Sequence, residues 1–189
     1  MVDERILIAF GSNIDPLANV SRGLELLNQQ MGIDKMSTVW RTVALCDPDQ
    51  PGEKDVGGEY LNGVVLLRVG ASAVRPLELR QMLRSLEYRC GRRRGPKRYA
   101  PRTLDLDIVL MGSTVFDSDG LVLPDPDLMR RPFLVMPCAE LAPDLIHPRE
   151  HLSLAELVQD LPAPELTMRR DGAAESALLA LLQCHSGVP

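Results

Sequence analysis

Residues 103–112 read TLDLDIVLMG, a stretch that predicts a β-strand with two unlike faces. Alternate residues of a strand share a face, so Asp105 and Asp107 point together while Leu104, Leu106 and Ile108 point the opposite way. The Cα atoms of the two aspartates lie about 6.5–7 Å apart at strand spacing. Aspartate is depleted in strands and like charges on one face repel, so we expect a bound cation to offset the pair. The alternative is a solvated outer face of the strand.

The segments before this strand predict three further strands and two helices. Apolar runs predict strands at 5–10, 36–45 and 60–69. Helices are predicted at 15–31 and 76–90, the first capped by Asp15 with its apolar stripe beginning at Leu17. The resulting order, βαββαβ, is that of a ferredoxin-like α+β sandwich, an antiparallel sheet with both helices on one face.

The chain after residue 112 predicts smaller elements around the same domain. We expect a short strand at 113–117, a loop at 123–133, a short helix at 133–143 and a helix after Ser153, which forms a capping box with Glu156. Residues 1–165 are predicted to form one domain. Residues 166–189 are predicted to be a helical extension packed on it, with a dimer contact as the less favoured reading.

A dense basic run directly precedes the two aspartates. Residues 89–102 read RCGRRRGPKRYAPR. Arginine forks match phosphate oxygens, and Mg²⁺ is commonly held by one or two carboxylates together with substrate phosphates. A polyphosphate with Mg²⁺ therefore explains both features together. A solvated charge run and a nucleic-acid-binding arm are the alternatives.

Composition limits the other classes of function. The 189 residues carry a net charge of −5, which argues against bulk attraction to nucleic acid or to an anionic membrane. The N-terminal residues do not resemble a secretory signal, and no apolar run is long enough to span a membrane. The four cysteines are scattered without a CxxC pair, which indicates free thiols and a cytoplasmic protein. Neither GxxxxGK[ST] nor GxGxxG occurs, so side chains and metal ions must hold any phosphate.

Residues 59–63, EYLNG, carry a second polar signal. Tyr60 and Asn62 share a strand face, and asparagine in a strand requires a hydrogen-bonding partner. A tyrosine beside an asparagine can stack on a flat heterocycle and read its polar edge. An exposed, polar start of a strand explains the same residues equally well.

These stretches together closely resemble the 6-hydroxymethyl-7,8-dihydropterin pyrophosphokinase (HPPK) family of folate biosynthesis. The resemblance covers roughly residues 5–160 and rests on AFGSNIDPLANV (9–20), RTVAL (41–45), YLN (60–62), LEYRCGRRR (86–94), PRTLDLDIVLMG (101–112), LPDP (123–126) and RRPFLVMPCAELAPDLIHP (130–148). It implies a ferredoxin-like enzyme that transfers pyrophosphate from ATP to the hydroxymethyl group of the pterin and releases AMP.

The resemblance also implies a set of site residues. Asp105 and Asp107 would bind two Mg²⁺ ions, and Arg92 and Arg102 would steady the phosphates, these four forming the catalytic set. The implied pterin residues are Thr42, Leu45, Tyr60, Asn62 and Phe133, with the two aromatic rings sandwiching the pterin. The implied ATP residues are Glu87, Arg92, Arg94, Tyr99, Arg102, Ile108 and Arg131. The expected partners are these two small substrates, without nucleic acid or membrane, in a monomer or weak homodimer.

The sequence departs from the family pattern near the nucleotide and the loops. Tyr99 stands where the family usually has Trp, Ala100 where it has Gly, and Val43 where it has Pro. Asp125 replaces a usual His, and Pro126 replaces a frequent Tyr. These changes leave open a diverged paralogue that binds or modifies another pterin with weakened use of ATP. A less favoured alternative, an RNA-binding ferredoxin-like module, rests on the basic run at 89–102.

Overall fold

A computed structural model describes residues 3–43, 58–93, 100–159 and 168–184. Eight strands and five helices follow one another in the order β1 (Ile6–Ser12), α1 (Pro16–Met31), β2 (Ile33–Met36), β3 (Trp40–Thr42), β4 (Tyr60–Leu67), α2 (Pro76–Arg89), β5 (Asp105–Met111), β6 (Phe116–Ser118), β7 (Leu121–Leu123), α3 (Pro132–Leu141), α4 (Leu154–Gln159), β8 (Met168–Arg170) and α5 (Gly172–Cys184). Within these ranges no helix is both long and apolar enough to cross a membrane.

Six of the strands form one antiparallel sheet. Their order is β5–β1–β4–β3–β8, and β2 also pairs with β4. Taken as one interrupted strand, β2 and β3 complete the order βαββαβ. The predicted ferredoxin-like α+β fold is therefore confirmed. Strands β6 and β7 form a separate hairpin, which includes part of the strand predicted at 113–117.

The sheet separates two apolar cores. On one face, buried side chains of α1, α2 and α5 pack with those of Ile8, Leu61 and Leu106. This placement confirms that α1 and α2 share a face. On the other face, α3 and α4 cover Leu7 and Val64, a second helical layer that the strand pattern did not predict. Burial on both faces explains why β1 and β4 read as nearly continuous apolar runs.

A bulge interrupts β5 after its two aspartates. Ile8 pairs with Ile108 whereas Leu7 pairs with Leu110, so Val109 is an extra residue. Both Val109 and Leu110 consequently join the core beneath α3. The regular alternation of β5 is thus confined to its first half, which is the half that carries Asp105 and Asp107.

The strand predicted at 36–45 is wrong as a single element. Between β2 and β3, the Ser37 N–H donates to the Val64 carbonyl at 3.0 Å, but the return bond goes to the side chain, since Ser37 Oγ accepts the Val64 N–H at 3.0 Å. The next amide, Thr38 N–H, donates to the carboxylate of Glu140 on α3 at 3.0 Å. These side-chain acceptors satisfy backbone groups that a continuous strand would have paired. The segment between the strands predicted at 36–45 and 60–69 lies mostly outside the described residues.

Two details of the predicted α1 are also wrong. Asp15 occupies the N-cap position, but its backbone is left-handed and its side chain makes no capping hydrogen bond. Leu17, placed on the apolar stripe by its spacing, is 39% exposed, whereas Val20, Leu24 and Leu27 are buried. The predicted ends of both helices hold, since Gly32 and Gly91 have positive φ angles of 68° and 84°.

The C-terminal segment joins the main sheet. Strand β8, which the sequence did not predict, pairs with β3, and α5 buries Ala174 and Leu178 against the α1 side of the sheet. The capping box of Ser153 and Glu156 is present, with the Glu156 N–H donating to Ser153 Oγ at 3.2 Å. The predicted domain boundary at residue 165 lies outside the described residues.

Candidate active site

A cavity of about 280 Å³ opens on the α3 face of the sheet, at the end where β1, β4 and β5 carry polar residues. Its walls come from distant parts of the chain. The lining residues are Ala9, Phe10, Gly11, Thr42, Val43, Tyr60, Asn62, Gly63, Arg102, Asp105, Asp107, Asp125, Asp127, Arg131, Phe133 and Leu134. Eight residues of the predicted site are among them, which brings the two polar signals of the sequence into one space.

Strand register explains how these signals meet. Gly11 of β1 pairs with Asp105 on one side and with Asn62 on the other. Two strand spacings put Asp105 and Asn62 roughly 10 Å apart on the same face. A side chain at Gly11 would fill the gap, because a Cβ atom there would lie 2.7 Å from Asn62 Oδ1. Gly11 thus keeps the cavity open between two ends. We call them the acidic end, which carries Asp105 and Asp107, and the amide end, which carries Asn62.

Two arginines converge on Asp105 at the acidic end. Arg102 donates a hydrogen bond from Nη1 to Asp105 Oδ2, and Arg92 Nη2 lies 3.8 Å from Asp105 Oδ1. The three side chains are no more than one fifth exposed. Burial alone would lower the pKa of Arg102, but the adjacent Asp105 outweighs it and the pKa is raised. Arg102 therefore remains cationic next to Asp105.

The backbone of Arg102 is fixed by the last residue of β1 and the residue after it. Asn13 Oδ1 accepts the Arg102 N–H at 2.7 Å, and the Asn13 N–H donates to the Arg102 carbonyl at 3.2 Å. Ser12 Oγ donates to the carbonyls of Ile14 and Arg102. No role was predicted from the sequence for Ser12 and Asn13. The signal for one was two polar residues directly after an apolar run, whose side chains can bind backbone groups at the edge of the sheet.

The basic run divides into residues with different roles. Arg92 turns toward Asp105, whereas Arg93 stacks over the ring of Tyr88 at 4.3 Å and donates to the Tyr88 carbonyl. Of the predicted ATP residues, Arg94 and Tyr99 lie outside the described residues. The run is thus not a uniform charged surface, since only part of its described portion faces the aspartates.

The amide end is a small hydrogen-bonded group. Asn62 Nδ2 donates to Thr42 Oγ1 at 2.8 Å, and both side chains are buried. Thr42 of β3 pairs with Tyr60 of β4, so the tyrosine ring stands beside this pair on the same face. Phe133, near the start of α3, lines the cavity as well. Leu45, also predicted for the pterin, lies outside the described residues.

A third wall comes from residues 125–133. The Asp125 N–H donates to the Val109 carbonyl at the β5 bulge, at 2.9 Å, and Asp125 Oδ1 accepts the Asp127 N–H at 2.8 Å. Asp127 forms an ion pair of 2.9 Å with Arg131, whose guanidinium lies 5.9 Å from the ring of Phe133. Burial raises the pKa of Asp125. Asp127 was not predicted to line the site.

Two predicted ATP residues lie away from this cavity. Glu87 is 1% exposed on α2, and its Oε1 accepts the Leu106 N–H at 3.0 Å. Ile108 is 4% exposed in the core that contains α1 and α2. Both side chains are packed on the opposite face of the sheet from Asp105 and Asp107. Their direct part in nucleotide binding therefore stays a prediction.

The acidic end has the chemistry of a magnesium site. Asp105 and Asp107 lie two residues apart on β5 and both line the cavity. Carboxylate oxygens are hard ligands that suit Mg²⁺, and one or two of them with phosphates and water complete its coordination. A carboxylate offers about four lone-pair sites, so Asp105 retains acceptor capacity beside its arginines. The donor set fits the metal expected from the sequence.

Comparisons with known proteins agree with this geometry. A family model described as 7,8-dihydro-6-hydroxymethylpterin-pyrophosphokinase (HPPK) matches residues 7–143. A 2-amino-4-hydroxy-6-hydroxymethyldihydropteridine pyrophosphokinase of Synechocystis is 34% identical over 157 residues, covering 82% of this chain and 75% of the relative. The protein of that name from Pseudomonas aeruginosa is 32% identical, covering 84% of this chain and 93% of the relative.

Solved structures give the same fold. Wild-type Plasmodium falciparum HPPK-DHPS with pteroate superposes with a TM-score of 0.65 at 9% identity, over 89% of this chain. The chain spans only 48% of that bifunctional chain, and a likeness at this identity supports the fold alone. The family rests instead on the match over residues 7–143 and on the relatives that align along most of their length. This chain therefore belongs to the 7,8-dihydro-6-hydroxymethylpterin-pyrophosphokinase family.

Proposed function

We propose that the two ends of the cavity carry out the reaction of this family, the transfer of a pyrophosphoryl group from ATP to 6-hydroxymethyl-7,8-dihydropterin. The observation that carries the proposal is their juxtaposition. Asp105, Asp107 and Arg102 line the same cavity as Tyr60 and Asn62. A phosphate chain and a flat heterocycle thus find complementary groups within one space.

The reaction places two demands on the protein. The hydroxymethyl oxygen of the pterin attacks the β-phosphorus of ATP, the bond from that phosphorus to the α,β-bridging oxygen breaks, and AMP leaves while the hydroxyl proton is released. Such transfers depend on positioning and on stabilising charge over the phosphate oxygens. The chain must hold the oxygen in line with the phosphorus and neutralise the phosphates.

The acidic end meets the second demand. Arg102 and Arg92 are the side chains we assign to the phosphate oxygens, and their partly buried setting strengthens each charge–charge contact. Asp105 and Asp107 would hold two Mg²⁺ ions, which supply charge neutralisation and template the phosphates when bound. Arg131, with Arg94, Tyr99, Glu87 and Ile108, completes the proposed ATP set.

The amide end meets the first demand. Because one N–H of Asn62 is committed to Thr42, the remaining N–H and the Oδ1 atom have a fixed orientation toward the edge of a pterin ring. Tyr60 and Phe133 supply aromatic faces for the two sides of the ring. Thr42 and Leu45 are proposed to contact the pterin through the backbone.

The test is formation of AMP from Mg-ATP that depends on hydroxymethyldihydropterin. AMP equimolar with the pterin diphosphate is the expected result. ADP as the product, or AMP formed equally well without pterin, would contradict the proposed reaction. Binding of the pterin without AMP formation would instead favour the diverged paralogue.

The number of metal ions has a separate test. Mn²⁺ bound per chain is counted by electron paramagnetic resonance in the presence of a non-hydrolysable ATP analogue. Two ions are expected, and Asp107→Asn is expected to retain fewer. A single ion in the wild type would overturn the two-ion assignment without affecting the reaction. The predicted monomer or weak homodimer is checked by light scattering, and the cytoplasmic location by fractionation.

A further inference from the structure

Strand β3 is too short for its own backbone hydrogen bonds to hold it firmly in position. It has three residues, Trp40–Thr42, yet it supplies the hydroxyl group that orients Asn62. One edge of β3 pairs with β4 and the other with β8. A strand this short pairs through few backbone hydrogen bonds, so its position depends strongly on what holds its second edge.

The C-terminal segment 168–184, which lies beyond the family-matched residues 7–143, holds that edge. Trp40, Arg41 and Thr42 pair in register with Arg170, Arg169 and Met168. Next to the strand, the Asp171 N–H donates to the Val39 carbonyl at 2.8 Å, and Glu175 Oε2 accepts the Val39 N–H at 3.3 Å. Val39, the residue before β3, therefore has both backbone groups bonded to the C-terminal segment: its N–H to Glu175 of α5 and its carbonyl to Asp171, which precedes α5.

An ion pair fixes the same junction on the face of the sheet that carries α1, α2 and α5. Arg41 Nε donates to Asp171 Oδ2 at 2.8 Å, and the two side chains are 23% and 17% exposed. Arg41 pairs with Leu61, whose side chain belongs to the core beneath α1 and α5, whereas Thr42 lies on the cavity face. The ion pair thus acts from behind the strand and does not line the cavity.

Asp171 connects this ion pair to the rest of the domain. Its Oδ1 accepts the Ala174 N–H at 3.0 Å, which caps α5, and Ala174 and Leu178 are buried in the core against α1. The Ala174 N–H and Arg41 together lower the pKa of Asp171. The carboxylate is therefore ionised at neutral pH, and β3 is fastened to a helix that is itself anchored in the core.

We propose that segment 168–184 is a positioning element for the pterin end of the site, and that the Arg41–Asp171 pair holds β3 so that Thr42 keeps the Asn62 amide oriented. The inference rests on the proposed function, because it assigns the pterin to Asn62. Neither Arg41 nor Asp171 touches substrate. Their loss loosens β3, and the consequence falls on the pterin and leaves the ATP end unchanged.

The chief test is the steady-state kinetics of Asp171→Asn. Asparagine is as good an N-cap as aspartate, so α5 keeps its cap while the charge that pairs with Arg41 is lost. The KM for the pterin is expected to rise about fivefold to tenfold, as for loss of a partly buried charged hydrogen bond, while the KM for ATP changes less than about twofold. Arg41→Gln removes the other partner and leaves the cap intact, so it replaces Asp171→Asn if that variant does not fold.

The matched control is Glu78→Gln. Glu78 also lies near a helix N-terminus and pairs with an arginine, Arg75, at 2.5 Å, but the two side chains are 50% and 82% exposed on α2. Both KM values are expected to remain at the wild-type level. A rise in pterin KM equal to that of Asp171→Asn would show a general effect of lost charge and would overturn the inference.

Trp40 gives a readout that does not depend on catalysis. It is the single tryptophan of the chain and lies in β3, so intrinsic fluorescence reports on this strand directly. Acrylamide quenching of Trp40 in the absence of ligands is expected to increase in Asp171→Asn and Arg41→Gln and to stay unchanged in Glu78→Gln. Unchanged quenching in both pair variants would contradict a role in holding β3.

Two further variants separate this inference from the proposed function. Asn62→Ala and Thr42→Val are both expected to raise the pterin KM, and Asp171→Asn is expected to raise it less in the Thr42→Val background than alone, because part of its effect acts through the Thr42 hydroxyl group. If Asn62→Ala leaves the pterin KM unchanged, the pterin assignment itself fails. If it raises KM but the Arg41 and Asp171 variants do not, only the positioning role fails.

Discussion

The two ends of the cavity are held in place by different physical means. The acidic end stands on β5, a seven-residue strand paired along its length with β1, and the charge of Asp105 is balanced by two arginines within 4 Å. The amide end stands partly on β3, which has three residues and is supported from behind by α5. In the proposed function, the acidic end stabilises phosphate charge, which changes during the reaction, whereas the amide end recognises the shape of the pterin, which does not change. We therefore expect damage at the acidic end to lower kcat and damage at the amide end to raise the KM for the pterin.

The largest effect is expected for Asp107→Ala. We propose that Asp107 holds a catalytic metal ion, so its loss should remove stabilisation of the transition state, and kcat is expected to fall by about 10³-fold or more. Rapid quantification of AMP measures the change. The matched control is Asp117→Ala, an exposed aspartate on the short strand β6, for which kcat should stay at the wild-type value. Retention of kcat by Asp107→Ala would remove the basis for treating the acidic end as the metal site.

A somewhat smaller effect is expected for Arg102→Gln. Glutamine keeps a donor near Asp105 but removes the charge that we assign to the phosphates, so kcat should fall about 10²-fold while the pterin KM changes little. Arg93→Gln belongs to the same basic run but stacks on Tyr88, and it should leave kcat within about threefold, as expected of an exposed position. Equal losses in the two variants would mean that net charge, and not the contact with Asp105, determines the rate.

Phe133→Leu tests the amide end. Leucine keeps an apolar side chain in contact with the core beneath α3 but removes the aromatic face, so the pterin KM should rise about tenfold with kcat less affected. Phe116→Leu makes the same change at another half-buried phenylalanine, in the β6–β7 hairpin, and should leave the pterin KM unaltered. A fall in kcat without a rise in pterin KM would mean that the two ends are not separable in the way we describe.

Local pattern predicted those parts of the site that depend on short-range geometry. The period of two in TLDLDI placed Asp105 and Asp107 on one face, and the same rule placed Tyr60 beside Asn62. The apolar periods gave α1, α2 and the strands β1, β4 and β5, whereas the strand predicted at 36–45 is divided between β2 and β3. These features follow from rules that operate within a few residues, so one sequence is enough to find them.

Contacts between distant segments were not predictable in the same way. Asn13 fixes the backbone of Arg102 across 89 positions, and the Asp125 N–H reaches the carbonyl of the β5 bulge. Strand β8 reads MRR, which has no apolar alternation to reveal it, and its pairing with β3 is set by where α5 packs. Such contacts arise only once the sheet has formed, and the residues that make them are unremarkable locally.

The smallest effect is expected for Asp125→Asn, which probes the third wall of the cavity, formed by residues 125–133. Burial raises the pKa of Asp125, so the folded state favours the protonated form more than the unfolded chain does. The stability gained in this way is fully present below the unfolded pKa of about 3.8 and is lost as the pH rises through the folded pKa. At neutral pH the buried carboxylate is therefore a net cost to the fold.

Asparagine removes that cost and keeps an oxygen to accept the Asp127 N–H, which caps the turn before Arg131. We expect Asp125→Asn to raise the Tm at pH 7 by about 2–4 °C, corresponding to roughly 1 kcal/mol, and the gain to disappear as the pH is lowered below about 3.8. Asp117→Asn, at an exposed position, should change stability by less than about 0.5 kcal/mol at either pH. Because Asp125 also lines the cavity, its neutralisation is expected to lower the KM for ATP rather than for the pterin. A variant that is less stable at pH 7, or whose gain in stability persists in acid, would contradict this account. It would mean that the contacts of the Asp125 carboxylate, and not the cost of burying its charge, determine its effect on stability.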